Sequence, residues 1–183
     1  RTFGSRHALS CDYVIAAVQA ILPKCGQIID GSHIDTIKIT FSQNDFVRLS
    51  VSCHKHGNGS HPECRTYSPS ADIQNLLEVI DFGCPETIPG IAMTTVDDEG
   101  NAVVGIRSVT YTLTVNHIDE NNRVGEFLAA QNHDGTETIE VEFTSAVAPQ
   151  AAEGWTLTNS ANDKSNTTAE THSISVTRHI AHD

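Results

Sequence analysis

No cysteine follows Cys84, although the chain runs on to Asp183; Cys11, Cys25, Cys53, Cys64 and Cys84 all lie in the first half. An absence confined to one half excludes a disulfide framework there. It implies two regimes in one chain, the first stapled in an oxidising compartment. Long apolar runs are missing too: nothing approaches the roughly 18 residues that a membrane helix needs. The opening RTFGSRHALSC holds no leader-type apolar core, so a secreted protein of this sequence would be a processed form and no membrane insertion is expected.

Basic residues are scarce in the second half. Up to residue 88, 7 Lys and Arg oppose 9 Asp and Glu, a balance of −2; from residue 89 onward 4 oppose 14, or −10, and the two add to the formal −12 of the chain. Such a half repels phosphate, which argues against a nucleic-acid partner. Signatures of catalysis are also lacking: there is no GxSxG elbow, HExxH, Walker loop or GxGxxG fingerprint. No catalytic residue and no cofactor are therefore expected, and the chain is read as a non-enzyme.

What is present divides at Pro85, Pro89 and Gly90. Before that junction Ser10 caps an expected helix from Cys11 to Leu22, with Val14, Ile15, Val18, Ile21 and Leu22 at helical spacing and Pro23 and Gly26 as its stop. Two strands follow. Ile34, Ile37, Ile39 and Phe41 mark the first, cleanest in its alternation from Ile37; Val47, Leu49, Val51 and Cys53 mark the second, after a turn at Asn44-Asp45. Ser68 and Pro69 then open a second helix with Ile73, Leu76, Leu77 and Ile80 on one face and Gly83 at its end.

Past the junction the pattern is all strand: 91–96, 102–106, 108–116, 124–130, 137–143, 155–159 and 171–180, separated by turn signals at 97–101, 119–122, 132–135 and 162–164. Val109, Tyr111, Leu113 and Val115 point to a core, as do Ile139, Val141 and Phe143. The expected fold is an α+β cysteine-containing domain over 1–88, its helices packed on a small antiparallel sheet. A β-sandwich over 89–183 follows it.

One stretch concentrates possible chemistry. CHKHGNGSHPEC, from Cys53 to Cys64, carries two cysteines, three histidines and a glutamate. On a strand Cys53 continues the apolar face of Val47, Leu49 and Val51, whereas His54 and His56 continue the polar face of Arg48, Ser50 and Ser52. A mixed Cys/His metal site would need convergence from opposite faces. Zinc could be held by His54, His56 and His61 if the Gly57-Asn58-Gly59 turn folds back. The simpler reading makes the histidines solvated and Cys53 half of a disulfide, with Cys64 across the turn as its candidate partner, so that no metal site is expected. A bridge of that span stabilises by about 3 kcal/mol in the chain-entropy account.

A Cys11–Cys25 bridge is disfavoured, because the intervening helix would hold the two roughly 16–20 Å apart. Two of Cys11, Cys25 and Cys84 would form the second bridge, leaving one of the five cysteines unpaired.

Other candidates have structural readings. Glu140 and Glu142 are a carboxylate pair on the outward side of a strand whose inward side is Ile139, Val141 and Phe143. The acidic loop 97–101 lacks the ligand spacing of a calcium loop. Trp155, the single tryptophan, is read as a core or half-buried residue before it is read as a sugar platform. Asn58-Gly-Ser60 and Asn166-Thr-Thr168 are glycosylation sequons.

A cysteine-bearing first half that begins CDYVIAAVQAIL, joined to a cysteine-free β half, resembles the dual-domain secreted FOLD effectors of the tomato-wilt fungus Fusarium. The resemblance covers the whole chain through its layout and cysteine placement. It implies a precursor with a signal peptide and pro-segment, cut after basic residues and secreted into the plant. It further implies a monomer that suppresses host immune signalling through contact with plant proteins. Resistant plants would recognise it with an immune receptor, mainly through the C-terminal domain. The family carries three disulfides in its first half, of which five cysteines permit only two. A secreted carbohydrate-binding or zinc-dependent protein is the alternative.

Overall fold

The computed structural model describes residues 6–14, 22–42, 45–56, 65–73, 88–92, 105–121, 123–124, 127–144, 150–163 and 171–183. Eight strands run through them: β1 (Arg6–Val14), β2 (Ile28–Ile29), β3 (Ser32–Ser42), β4 (Arg48–His56), β5 (Gly105–Asn121), β6 (Phe127–Thr144), β7 (Thr156–Asp163) and β8 (Thr171–Ile180). They form one antiparallel sheet in the order β1-β4-β3-β5-β6-β8-β7, with β2 attached to β3.

This corrects both the expected α+β class of the first domain and the expected β-sandwich over 89–183, since the described strands of both halves lie in one sheet. Cys11 lies in β1, paired across to Val51, instead of opening a helix, and Arg6 to Val14 run in register with His56 to Arg48. Residues 15–21 of the expected helix lie outside the described residues. Pairing with β4 satisfies every backbone group of β1 on that side, a gain from tertiary context that outweighs the weak helical preference of the segment. Of the second helix, 68–73 are described: Ser68 to Ser70 are not helical and 71–73 are, with the Ile73 amide donating to the Ser70 carbonyl. The sheet also crosses the Pro-Gly junction: β3 pairs with β5 from Thr36↔Thr114 to Ser42↔Ser108.

The strands expected at 34–41, 108–116, 137–143 and 171–180 lie within β3, β5, β6 and β8, and that at 47–53 lies within β4 but for Val47. Residues 132–135 do not form the expected turn. They lie inside β6 as a bulge, where Asp134 takes φ 51 and the register jumps from Thr114↔Thr136 to Asn116↔His133. Turn-forming residues tolerate the left-handed conformation that a bulge demands.

Period-two alternation divides the sheet into unlike faces. One face carries Ile37, Ile39, Leu49, Val51, Val109, Tyr111, Leu113, Ile139, Val141, Phe143, Ile174 and Val176, all buried. Ile73, Ile88 and Ile91 join them from the connecting segments, and Trp155 packs at the margin. The other face is built of hydroxyls: Thr36 pairs with Thr114, which pairs with Thr136, and Thr112 pairs with Thr138, which pairs with Thr177. Glu140 is exposed there, and Glu142 sits 3.6 Å from Arg107.

The apolar face contains one fully buried carboxylate. Glu137 Oε1 accepts from the Tyr111 hydroxyl at 2.8 Å and from the Ser70 amide at 2.9 Å, and Oε2 accepts from Arg178 Nε at 2.8 Å. The guanidinium of Arg178 also lies 4.4 Å over the Trp155 ring. Burial, reinforced by the Glu137 charge, holds the Tyr111 phenol well above its ordinary range, so it stays a donor. Three donors on one buried carboxylate tie the 70–73 turn, β5, β6 and β8 together.

Removing the acceptor while the cation stays is the costly change. Glu137→Ala is expected to lower unfolding free energy by about 3–5 kcal/mol, and Tyr111→Phe by about 1.5–3 kcal/mol, read from urea denaturation. A Glu137→Ala loss below about 1 kcal/mol would show that the network is incidental to stability.

Candidate metal centre

Three strands bring histidines from distant parts of the chain to one place. His33 on β3 lies directly across from His54 on β4, and His117 on β5 lies across from Asn132 on β6. The ring centroids are 4.0 Å apart for His54 and His117, 5.4 Å for His33 and His54, and 6.4 Å for His33 and His117. His33 and His54 are buried, at 0% and 1% exposure, although both interrupt otherwise polar positions.

A bulge supplies the carboxylate. Between Ile34↔Cys53 and Thr36↔Ser52, β3 has one residue more than β4, and that residue is Asp35. The insertion explains why Ile34 and Ile37, three positions apart, are both fully buried. It also aims Asp35 at its neighbour: both carboxylate oxygens face His54 Nδ1, at 2.6 and 2.7 Å. A carboxylate only accepts, so in the metal-free protein Nδ1 donates to it; an ion held by Asp35 and His54 together would take that proton's place, with Nδ1 as the His54 ligand atom.

The second bulge orients His117. Asn132, 2% exposed, donates through Nδ2 to the Arg65 carbonyl at 3.4 Å, which turns its Oδ1 toward His117 Nδ1 at 2.8 Å. The amide oxygen selects the Nδ1–H tautomer of His117, so Nε2 is the atom with which it would ligate. An outer hydrogen bond such as that of Asn132 fixes ring orientation and raises ligand basicity in metal sites. Asp35, His54 and His117 each offer a donor atom, and those atoms lie within 4.8 Å of one another. Ligands bonded at about 2.0–2.2 Å lie no more than about 4.4 Å apart, so one cation would draw the three groups slightly together.

Of the zinc set read from the sequence, His54 is in this cluster among the described residues. His56 ends β4, and His61 lies outside the described residues. The face rule that set His54 apart as a solvated residue does not hold, because the bulge at Asp35 and the strand β5 close over it. Asp35 and His117 escaped sequence reading because they lie far from the Cys53–Cys64 stretch. The three-residue gap between Ile34 and Ile37 was the available signal, since an apolar face broken by one extra position marks a bulge.

Among the described residues no disulfide forms: Cys11, Cys25 and Cys53 are thiols. Cys64 and Cys84, on which the expected bridges also depend, lie outside the described residues. Cys11 and Cys53 are diagonal neighbours on β1 and β4, since Cys11 faces Val51 and Cys53 faces Leu9. The helical spacer invoked to separate Cys11 from Cys25 is replaced by strand over 11–14.

Cys25 forms a bridge with Tyr67, and its Sγ lies 3.5 Å from the carbonyls of Asp35 and Leu113. Burial, aided by the Asp35 charge, pushes its thiol up to about 12, from an ordinary 9.0. Burial likewise raises Cys53, with Asp35 next in effect. A raised thiol value contributes stability that is complete below the unfolded value and fades as pH climbs through the folded one.

The difference in unfolding free energy between wild type and Cys25→Ala is therefore expected to narrow between pH 9 and about 12. Iodoacetamide at neutral pH is expected to leave Cys25 unmodified in the native protein and to alkylate it after urea, as peptide mass mapping would read. Rapid native labelling of Cys25 would contradict the packing. No family model, curated protein or solved structure matches this chain, so what the cluster does is argued from its own geometry.

Proposed function

We propose that this protein binds a divalent transition-metal ion through Asp35, His54 and His117. The observation that carries the reading is the convergence of their donor atoms within 4.8 Å on three adjacent strands, with the Asp35 carboxylate beside His54 Nδ1 and the His117 ring held by Asn132. Two imidazoles and a carboxylate favour zinc and its first-row neighbours over magnesium or calcium, which take oxygen sets. Because His54 is almost fully buried, the ion sits within the sheet rather than on its surface. Its direct effect is to crosslink β3, β4 and β5, which come from both sides of the Pro-Gly junction.

A second reading, recognition of other proteins, is favoured by the sheet edges. Leu9 on β1 and Leu157 on β7 are 55% and 46% exposed on the outermost strands, and every residue of β7 is exposed. Edge strands with exposed apolar residues invite strand addition. The plant-directed secreted effector implied by the family resemblance would act through such edges. Its helical first-half layout is not the one found, so this reading rests on the edges alone.

Full-length protein dialysed against zinc and then buffer is expected to retain one equivalent of metal by mass spectrometry. Asp35→Asn, His54→Ala or His117→Ala should each abolish that retention. Saturation at 100 times the dissociation constant should raise unfolding free energy by about 2.7 kcal/mol. Unchanged stability with no retained ion would remove the proposal.

A further inference from the structure

We infer that the ion is the clasp of a separate β-arm, so that metal occupancy decides how firmly the far part of the β5–β6 hairpin is held to the body of the sheet. This rests on the metal-binding reading above and gives that site a regulatory role. The arm comprises Asn116 to Asn121 of β5 and Phe127 to His133 of β6, paired from Asn116↔His133 to Asn121↔Phe127. Among the described residues neither arm strand has a second strand beside it, because β3 leaves β5 at Thr36↔Thr114 and β8 leaves β6 at Gly135↔Ile180.

The reason for the split lies in β3. Beyond Thr36, the edge of β3 that would carry β5 is taken by an earlier segment. The Gly26 amide donates to the Ile34 carbonyl at 2.7 Å, the Ile34 amide donates to the Gln27 carbonyl at 3.0 Å, and Ile28 pairs with His33. Those bonds occupy the backbone groups on which β5 would otherwise continue. The arm therefore leaves the sheet, and it does so at a bulge where Asp134 takes φ 51. A bulge bends its strand and interrupts the ladder. A two-stranded hairpin is by itself only marginally stable in water, and segments with few partners open locally while the rest of a fold stays intact.

The donor set straddles this split. Asp35, next to Thr36, and His54 belong to the body of the sheet, whereas His117 is the second residue of the arm. The His117 ring lies 4.0 Å from that of His54, and Asn132, across the arm from His117, donates to the Arg65 carbonyl at 3.4 Å. Those are weak ties beside a coordinate bond from His117 to an ion shared with Asp35 and His54. Opening the arm withdraws one of the three ligands, so the bound ion opposes opening by as much as that ligand adds to its affinity. Ile118 and Val124 are exposed on the arm, and the clasp thereby fixes where this apolar surface is presented.

Amide hydrogen exchange of the full chain, metal-free and with zinc at about 100 times its dissociation constant, reads the clasp. In the metal-free protein the hydrogen-bonded amides of 118–121 and 129–131 are expected to exchange faster than those of 109–113 and 139–143. Zinc should slow the arm amides by roughly 10–100-fold and leave those of β7 unchanged, since fraying of that edge strand does not touch the site. His117→Gln should remove the zinc dependence of the arm; should it fail to fold, the two wild-type measurements still decide. Three results would overturn the inference and leave the metal site standing: metal-free arm amides as protected as the sheet centre, arm rates unchanged although zinc is retained, or β7 slowed as strongly as the arm. Failure of the wild type to retain any ion would overturn both.

Discussion

The pairing of β5 with β6 is the constraint from which the rest of the structure follows. These are the longest strands, 17 and 18 residues, and each also holds a second neighbour: β5 receives β3, and β6 receives β8. Their alternation determines which side chains meet. Tyr111 faces Ile139, and Leu113 faces Glu137, so one ladder sets both the apolar core and the buried carboxylate within it. Because side chains repeat every two residues, a slip of one position would turn Leu113, Ile139 and Val141 outward and bury a row of threonines.

Within that regular frame the candidate metal centre is made by irregularity. Asp35 is an extra residue in β3, and Asp134 with Gly135 faces Val115 alone across the β5–β6 ladder. The first bulge delivers a carboxylate to His54; the second follows Asn132, which holds His117. Gly135 is needed for a separate reason, since a Cβ there would fall 2.3 Å from the Tyr67 ring. Bulges re-aim side chains near functional sites in this way, and they do so at the cost of local ladder bonds.

Much of the sheet was legible because β3, β4, β5, β6 and β8 alternate apolar and polar residues, and alternation is a local property. The segment from Cys11 onward misled for a physical reason. Its apolar spacing fits a helix, but Cys11 to Val14 are claimed by β4, about forty residues away, and no local rule reports such a partner. The same limit hid the metal cluster. His54 stood out because the Cys53–Cys64 stretch is rich in histidine, whereas Asp35 and His117 look like ordinary strand residues until the register brings them together. Side-chain direction at His54 was also misjudged, since strict alternation placed it in solvent and a neighbouring bulge placed it at 1% exposure.

The topology has a kinetic corollary. β3 and β4, with β1 added to β4, can assemble as one unit and β5 with β6 as another, but the joint between them is the β3–β5 seam, where Thr36 meets Thr114 across 78 positions of chain. Closing so long a loop is entropically slow compared with forming either hairpin. Asp35 and His54 arrive with the first unit and His117 with the second. The complete donor set therefore exists only after the seam has zipped, and capture of an ion would ratchet the last step of folding forward.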